Sequence, residues 1–304
     1  MLLKNNMPKI KIAILTGGTS SERDIALLSA KNVVEELKSK FELKIFDFPK
    51  DIDSFYKTHK DFSVTVPIFH GPGGEDGVVQ GFLKILDIPF LFSDVKAHAI
   101  GMDKLISKIL ITKNNLLTPD YKLVNTKTKF IKPVIVKPVA GGSSIGISIA
   151  NNQKELDKAI DQALKYDKQI LLENYIQGQE FTVVVIEQNN KLQTLPVIEI
   201  KSKNSFFDYA SKYDPKLAEE ICPALIDDSL AKDLQEQSIK IHQIIGCRHL
   251  SRSDFIVSDN KAYFLEINTI PGMTKESLLP KAIKAANLNF GDILGQWIKD
   301  LSKY

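Results

Sequence analysis

Apolar and polar residues alternate with period two on both sides of Ser258-Asp259-Asn260-Lys261, and the two β-rich runs around this turn predict a hairpin over 252–268. Side chains along a strand point to opposite faces. Phe255, Val257, Tyr263, Leu265 and Ile267 are therefore expected on an apolar face, and Arg252, Asp254, Glu266 and Asn268 on the other. Asp254 falls opposite Glu266 if the connecting loop holds an odd number of residues. Upstream, apolar runs at 9–15, 41–48 and 62–69 read as strands, with helical stretches from about 22 to 39 and over 77–86. This βαβ alternation implies a parallel sheet with helices on its faces, ending near Asp94. A helix over 102–114 follows, then an extended region marked by Pro119, Pro133 and Pro138. Strands at 134–137, 146–150 and 169–172, with a helix at 154–164, suggest a small α+β unit. Strands at 182–187 and 194–200, the hairpin, and helices at 229–245 and 277–286 complete the pattern.

At 304 residues the chain can hold two or three domains with full cores. With 43% hydrophobic and 25% charged residues it reads as soluble and globular. The net charge of +3, spread along the chain, does not suggest a nucleic-acid binder but is compatible with an anionic small substrate. Cys222 and Cys247 form no C-x-x-C pair, and the five histidines show no H-E-x-x-H spacing, so neither a disulfide framework nor zinc is expected. The first residues lack the apolar core of a signal peptide and no run reaches membrane-spanning length, so a cytoplasmic location without membrane contact is expected.

Two segments carry candidate chemistry. On the polar hairpin face, Asp254, Glu266 and Asn268 are hard oxygen donors suited to Mg²⁺ rather than zinc. A solvated strand face is the plain alternative, but such a face rarely runs on into Asn268-Thr269-Ile270-Pro271-Gly272-Met273-Thr274. The second segment is Lys137-Pro138-Val139-Ala140-Gly141-Gly142-Ser143-Ser144-Ile145-Gly146, whose glycines let backbone N–H groups approach anionic oxygens while Ser143 and Ser144 add hydroxyl donors. A flexible Gly-Ser hairpin would look the same. Its lysine precedes the glycines and the loop joins two strands, unlike a P-loop, and the first strand lacks a G-x-G-x-x-G. A Walker NTPase and a Rossmann dehydrogenase are both disfavoured.

Taken together, these residues resemble the ATP-grasp superfamily and, within it, the D-alanine–D-alanine ligase family, from Gly17 to about Trp297. The matching segments are Leu15 to Arg23; His70-Gly71 with Gly74-Glu75-Asp76-Gly77; Met102-Asp103-Lys104; Val136 to Gly146; Phe207-Asp208-Tyr209 with Lys212-Tyr213; Arg252-Ser253-Asp254; and Glu266 to Thr274 with Ser277-Leu278. Val139-Ala140-Gly141 departs from the polar or charged residues of many relatives. The resemblance implies an α/β and α+β ATP-grasp fold: an N-terminal parallel-sheet (Rossmann-like) domain over 1–98, a central subdomain over 99–178 and a C-terminal subdomain over 179–304 with the metal site and a lid loop.

It also implies chemistry. ATP would phosphorylate the carboxylate of one D-alanine, and the amine of a second would attack the acyl phosphate. Asp254, Glu266 and Asn268 would hold two Mg²⁺ (or Mn²⁺) ions. Lys104, Lys137 and Ser144 would bind ATP phosphates, with Lys212 reaching the transferred phosphate as the lid, 201–222, closes. Glu173, Ile176 and Glu180 would read adenine and ribose. Glu22 would take the first D-alanine's ammonium, linked to Ser143 and Tyr213 and beside His70. Arg252 and the Gly272 N–H would form an oxyanion hole, and Ser277 and Leu278 would receive the second substrate's carboxylate. Humbler roles stay open: Thr19-x-x-Glu22 fits a capping box, Ser277 a helix cap, and each lysine a solvated surface residue. D-alanine–D-lactate or D-alanine–D-serine ligation, and a nucleotide-binding module without catalysis, are the alternatives. Tyr213, where depsipeptide-forming relatives carry His, favours D-alanine. A homodimer is expected.

Overall fold

The computed structural model describes residues 10–142, 145–202 and 218–303. Its first unit is a three-stranded parallel sheet in the order β2-β1-β3, with β1 at Lys11–Gly17, β2 at Glu42–Phe48 and β3 at Val64–Pro67. Every β1 residue after Lys11 is buried, as a central parallel strand covered on both faces must be. Helix α1 (Arg23–Leu37) buries Ala26, Ala30, Val33 and Leu37, one helical stripe, against this sheet. α2 (Ile52–Thr58) buries only Phe55, too little apolar periodicity for the sequence pattern to mark it. α3 (Val78–Ile85) follows the His70-Gly71 segment.

The single helix expected over 102–114 is two. α4 (Val95–Met102) and α5 (Lys104–Lys113) meet at Asp103, which leaves the helical region and caps α5 by accepting from the Ile106 N–H at 2.9 Å. Apolar residues are spread around α4, so no one-sided stripe announces it.

A four-stranded antiparallel sheet has the order β4-β7-β5-β6, with β4 at Tyr121–Val124, β5 at Val134–Pro138, β6 at Ser148–Ala150 and β7 at Ile170–Asn174. Helix α6 (Gln153–Ala163) packs Leu156, Ala159, Ile160 and Ala163 onto it. A six-stranded sheet completes the chain: β8 (Gln179–Gln188), β9 (Lys191–Thr194), β10 (Ile198–Ser202), β11 (Ala218–Ile221), β12 (Leu250–Ser258) and β13 (Lys261–Asn268). The run read as one strand over 194–200 is broken at Pro196, and both pieces pair with β8. α7 (Asp228–Ile245), α8 (Leu278–Ala285) and α9 (Phe290–Leu301) follow their apolar stripes, although α9 had no counterpart in the pattern. Its Ile293, Leu294, Trp297 and Ile298 join α1, β1 and Leu250 at the start of β12 in the largest apolar cluster. That packing fixes the first sheet against the last, and the cavity described below opens at their junction.

Candidate active site

The hairpin delivers its carboxylates by a route other than the one expected. The loop has two residues, an even number, with Asp259 at φ 49° and Asn260 at φ 58°. Paired left-handed residues make the tight turn whose twist suits a hairpin, and Asp and Asn tolerate it best after glycine. Ser258 pairs with Lys261 and Phe255 with Phe264, a register that would put Asp254 opposite Leu265. A β-bulge between Asp254 and Phe255 absorbs Leu265 and restores the pairing of Asp254 with Glu266 and of Arg252 with Asn268. The apolar face changes accordingly. Phe255, Val257 and Ile267 are buried as expected, but their companions are Ala262 and Phe264, while Tyr263 and Leu265 are only half-buried.

On the polar face the Asp254 carboxylate is saturated. Its Oδ1 accepts from Thr182 Oγ1 at 2.5 Å and Arg252 Nε at 2.9 Å, and its Oδ2 accepts from Arg252 Nη2 at 2.9 Å and Asn268 Nδ2 at 3.1 Å. Burial opposes the Arg252 charge, yet the fork-to-fork pair with Asp254 outweighs it and raises the Arg252 pKa. Glu266 lies 3.5 Å from Lys104 Nζ. Two carboxylates and one amide oxygen form a hard donor set that fits Mg²⁺ or Mn²⁺ and not a soft metal. Among the described residues no group of three or more His, Cys, Asp or Glu side chains is disposed to hold a metal ion, so any such site rests on this smaller set.

The lysines converge from another direction. Lys104 opens α5, is buried, and donates from Nζ to the Gly141 carbonyl at 2.5 Å and from its backbone N–H to the Val139 carbonyl at 3.0 Å. Ala140 N–H donates to Asp167 at 2.8 Å. The base of the glycine loop, Val139-Ala140-Gly141, is thus held through its backbone and needs no polar side chain to fix it. Lys137, on β5, donates to Glu173 Oε2 at 2.8 Å. Burial works against its charge, but Glu173 overcomes this and raises the pKa. Glu173, on β7, is fully buried, and its other oxygen stands 3.2 Å from Lys108 Nζ. Burial alone would raise the Glu173 pKa; the two lysines hold it below the ordinary value. Its Oε2 accepts from Lys137, while its Oε1 faces Lys108 as an ion pair and accepts no hydrogen bond. Ile176 and Glu180 flank the step from β7 into β8, both half-buried, and the Glu180 charge acts on Lys137.

Between these groups and α1 lies a cavity of about 850 Å³, lined in part by Glu22, His70, Glu75, Gly142, Arg252, Asn268, Gly272, Ser277 and Leu278. Glu22 is buried at the N-cap position of α1 but makes no side-chain capping bond, so the capping box does not form. Its carboxylate instead occupies the space beside Gly71 and Gly142, where an added Cβ would come within 2.6 and 2.9 Å of Oε2. Neither glycine can be replaced without displacing it. His70 lies 3.0 Å from Ser29 Oγ, and the Met273 N–H donates to that same oxygen at 3.2 Å, which leaves the hydroxyl hydrogen for His70 Nε2. Burial, helped by Arg252, pushes His70 to about 4, so it is neutral at pH 7. Ser277 caps nothing with its side chain; its hydroxyl lies 2.8 Å from Thr274 Oγ1 and accepts from the Thr274 N–H at 3.1 Å. Its backbone, with Leu278 next, begins α8, and an added Cβ at Gly272 would meet Ser277 Oγ at 2.8 Å.

Ser143, Ser144, Lys212 and Tyr213 lie outside the described residues, as does most of the expected lid; only its ends are described, in β10 and β11. Sequence reasoning missed Glu75, Lys108 and Thr182. Glu75 stood in a quoted motif, and burial with the like charge of Glu22 raises it to about 8. Lys108 sits one turn beyond Lys104, a spacing that on its own reads as a solvated helix position.

A parallel α/β unit followed by two antiparallel sheets, with lysines of one brought toward carboxylates of the other, defines an ATP-grasp protein. The family model described as "D-ala D-ala ligase C-terminus" matches residues 98–299. The chain is 36% identical over 298 residues to the D-alanine–D-alanine ligase of Syntrophotalea carbinolica, covering 96% of each. It is 38% identical over 305 residues to that of Desulfotalea psychrophila, covering 96% of this chain and 94% of that one. The crystal structure of D-alanine–D-alanine ligase from Bacillus anthracis complexed with ATP superposes with a TM-score of 0.84 at 29% identity over 98% of both chains. A D-Ala:D-Ser ligase from Enterococcus faecalis gives 0.82 at 27% identity, over 97% of this chain and 99% of that one. The chain belongs to the D-alanine–D-alanine ligase family.

Proposed function

We propose that this chain ligates two D-alanines to D-alanyl-D-alanine, using ATP to form an acyl phosphate and releasing ADP and phosphate for the synthesis of peptidoglycan precursors. The observation that carries this reading is the polar hairpin face. Arg252, Asp254, Glu266 and Asn268 stand together there, with Lys104 beside Glu266 and a cavity lined by Glu22 and the start of α8 opening next to them. A carboxylate and an ammonium are both poor reactants at neutral pH. Phosphoryl transfer from ATP to the carboxylate, which makes it open to attack by the amine, asks for charge neutralisation and alignment more than for covalent catalysis. Lys104, Lys137, Ser144 and Lys212 would bind phosphate oxygens, and Glu173, Ile176 and Glu180 would line the nucleoside side. Asp254, Glu266 and Asn268 would hold two Mg²⁺ or Mn²⁺ ions, whose charge would neutralise the phosphates.

On the amino-acid side, Glu22 would take the first ammonium, with Ser143 and Tyr213 completing the contact. Neutral His70 adds no repulsion there. Arg252 and the Gly272 N–H would stabilise the tetrahedral oxyanion, and the Ser277 and Leu278 N–H groups at the start of α8 would receive the second carboxylate. The division at 1–98, 99–178 and 179–304 is supported by the three sheets, since β4 to β7 fall within the second range and β8 to β13 within the third. The enzyme would be cytoplasmic and homodimeric, as expected of the family; no helix among the described residues is long and apolar enough to cross a membrane.

The competing acceptors are D-lactate and D-serine. The two solved relatives superpose almost equally well, so the backbone does not separate the acceptors, and Tyr213 is what favours D-alanine. Incubation of the purified chain with ATP, Mg²⁺ and D-alanine tests the reading. Phosphate release dependent on D-alanine, with the dipeptide seen by mass spectrometry, is expected. AMP and pyrophosphate as products would overturn it.

A further inference from the structure

Lys108 is the largest wholly buried cation of the described residues, and nothing in the proposed reaction uses it. Its ammonium stands 3.2 Å from Glu173 Oε1, donates to Thr118 Oγ1 at 2.6 Å and lies 3.5 Å from the Phe264 carbonyl. Thr118 Oγ1 donates onward to that same carbonyl at 2.8 Å. These partners belong to different sheets. Glu173 is in β7 of the four-stranded sheet and Phe264 in β13 of the six-stranded one. Phe264 is also the residue next to the bulge that returns Glu266 to its place opposite Asp254. One ammonium thus touches both the carboxylate that holds Lys137 and the strand position from which Glu266 is aimed.

A buried ion pair is weak evidence of a purely stabilising role, because apolar residues of similar volume often serve stability as well or better. The arrangement here is also specific: two ammoniums divide the two oxygens of one carboxylate, with Glu266 acting on both lysines from further away. Without Lys108, Glu173 would belong to Lys137 alone, and Lys137 would be less available to an incoming phosphate.

We propose that Lys108 is a positioning residue for ATP: by dividing the Glu173 carboxylate with Lys137 and anchoring the Phe264 carbonyl, it keeps Lys137 available to phosphate and in register with Glu266. It touches no substrate itself. The inference rests on the ligase reading above and adds to it a residue outside the ATP contacts.

Steady-state kinetics of Lys108→Met in the full chain test it. The KM for ATP is expected to rise about tenfold or more, with kcat at saturating ATP and the KM values for D-alanine within about threefold of the unmodified protein. A lowered thermal midpoint with the ATP KM unchanged would mean that Lys108 is only structural, and would overturn the proposal. Should Lys108→Met fail to fold, Thr118→Val decides, since it removes the hydroxyl link to Phe264 without stranding a charge. A threefold or larger rise in the ATP KM is then expected, and an unchanged value refutes the idea. Calorimetric titration of the same variants with ADP separates this failure from failure of the ligase reading. If the unmodified chain makes no dipeptide, the reading falls, while ADP binding at least tenfold weaker in Lys108→Met still supports Lys108, and unchanged binding sinks it.

Discussion

Replacing Glu75 by Gln should make the protein more stable, by an amount that grows with pH. Burial, and then the like charge of Glu22, lift the Glu75 carboxyl from 4.5 to about 8, against hydrogen bonds from the Gly71 and Ile270 backbone and the attraction of Arg252. Between those two pH values the folded chain keeps a proton that the unfolded chain gives up. The folded state therefore binds more protons, and stability falls as pH rises from about 4.5 to about 8, then levels off. Each pKa unit corresponds to about 1.4 kcal/mol, so a displacement of this size sets a ceiling of roughly 5 kcal/mol. Glu75 is only partly covered and borders a cavity of about 850 Å³, where water softens the penalty. A loss of about 1–3 kcal/mol is the working expectation at an effective dielectric near 20. Glutamine keeps the shape, and its oxygen can still accept from the Gly71 N–H, which donates to Glu75 at 2.8 Å. Urea unfolding of both proteins from pH 5 to pH 9 measures the effect. The advantage of Glu75→Gln should widen by about 1–3 kcal/mol up to pH 8 and stay constant above it. Parallel stability curves over the whole range would refute the reasoning, because Glu75 would then titrate alike in both states.

Other outcomes follow from the same geometry. Asp254→Ala and Glu266→Ala should each lower ligation at least a hundredfold, but Asp254→Ala removes two charge-assisted bonds from Arg252, so its urea midpoint should reflect a loss of about 3–5 kcal/mol. Glu266→Ala takes away a carboxylate only 3.5 Å from the Lys104 ammonium, which keeps its bond to Gly141, and loses less. Equal stabilities would contradict that. Gly178→Ala should cost about 2 kcal/mol or more in the same assay, because the added Cβ would come within 2.2 Å of the Val257 carbonyl oxygen, a backbone atom that cannot step aside. With D-alanine and D-lactate both present at pH 6–9, mass spectrometry should find the dipeptide and negligible ester, whereas Tyr213→His should gain ester as pH falls, since a neutral phenol does not repel an incoming ammonium and an imidazolium does. Abundant ester from the unmodified protein at pH 6–7 would sink the acceptor assignment.

How much of this was legible in the sequence depended on whether a feature is local. Strand β1, helix α1 and the two hairpin strands announce themselves by periodicity, and Asp259-Asn260 announces the turn. The short strands β4, β9 and β11 have four residues each and little pattern to read. The bulge at Leu265 has no sequence signature of its own; it arises because β12 pairs with β8 on its other edge through Asp254 and Thr182 while the turn imposes an even register. Asp254, Glu266 and Asn268 were therefore placed together for a reason that did not hold. Lys108 shows the opposite case. A lysine four residues after another on a helix carries no mark of burial, and only the packing of α5 against β13, with Glu173 of β7 reaching the ammonium, takes it from solvent.

The placement of charge argues that the protein tolerates a cost at this site. Glu173 with its two lysines and the Arg252–Asp254 pair sit where water is largely excluded, and apolar residues of equal volume often serve stability there as well or better. Four apolar clusters must supply the folding free energy instead. The pairs also differ in what they hold fixed. Arg252 and Asp254 share one strand, so their contact is built into β12 and needs no other element to persist. The contact between Glu173 and Lys108 joins a strand to a helix, and through Phe264 it reaches a second sheet. Interactions within one strand survive relative movement of the sheets, whereas those that cross between sheets resist it. Removing Lys108 should therefore loosen the register between the nucleotide lysines and the metal carboxylates, while removing Arg252 should leave that register intact and weaken the chemistry itself.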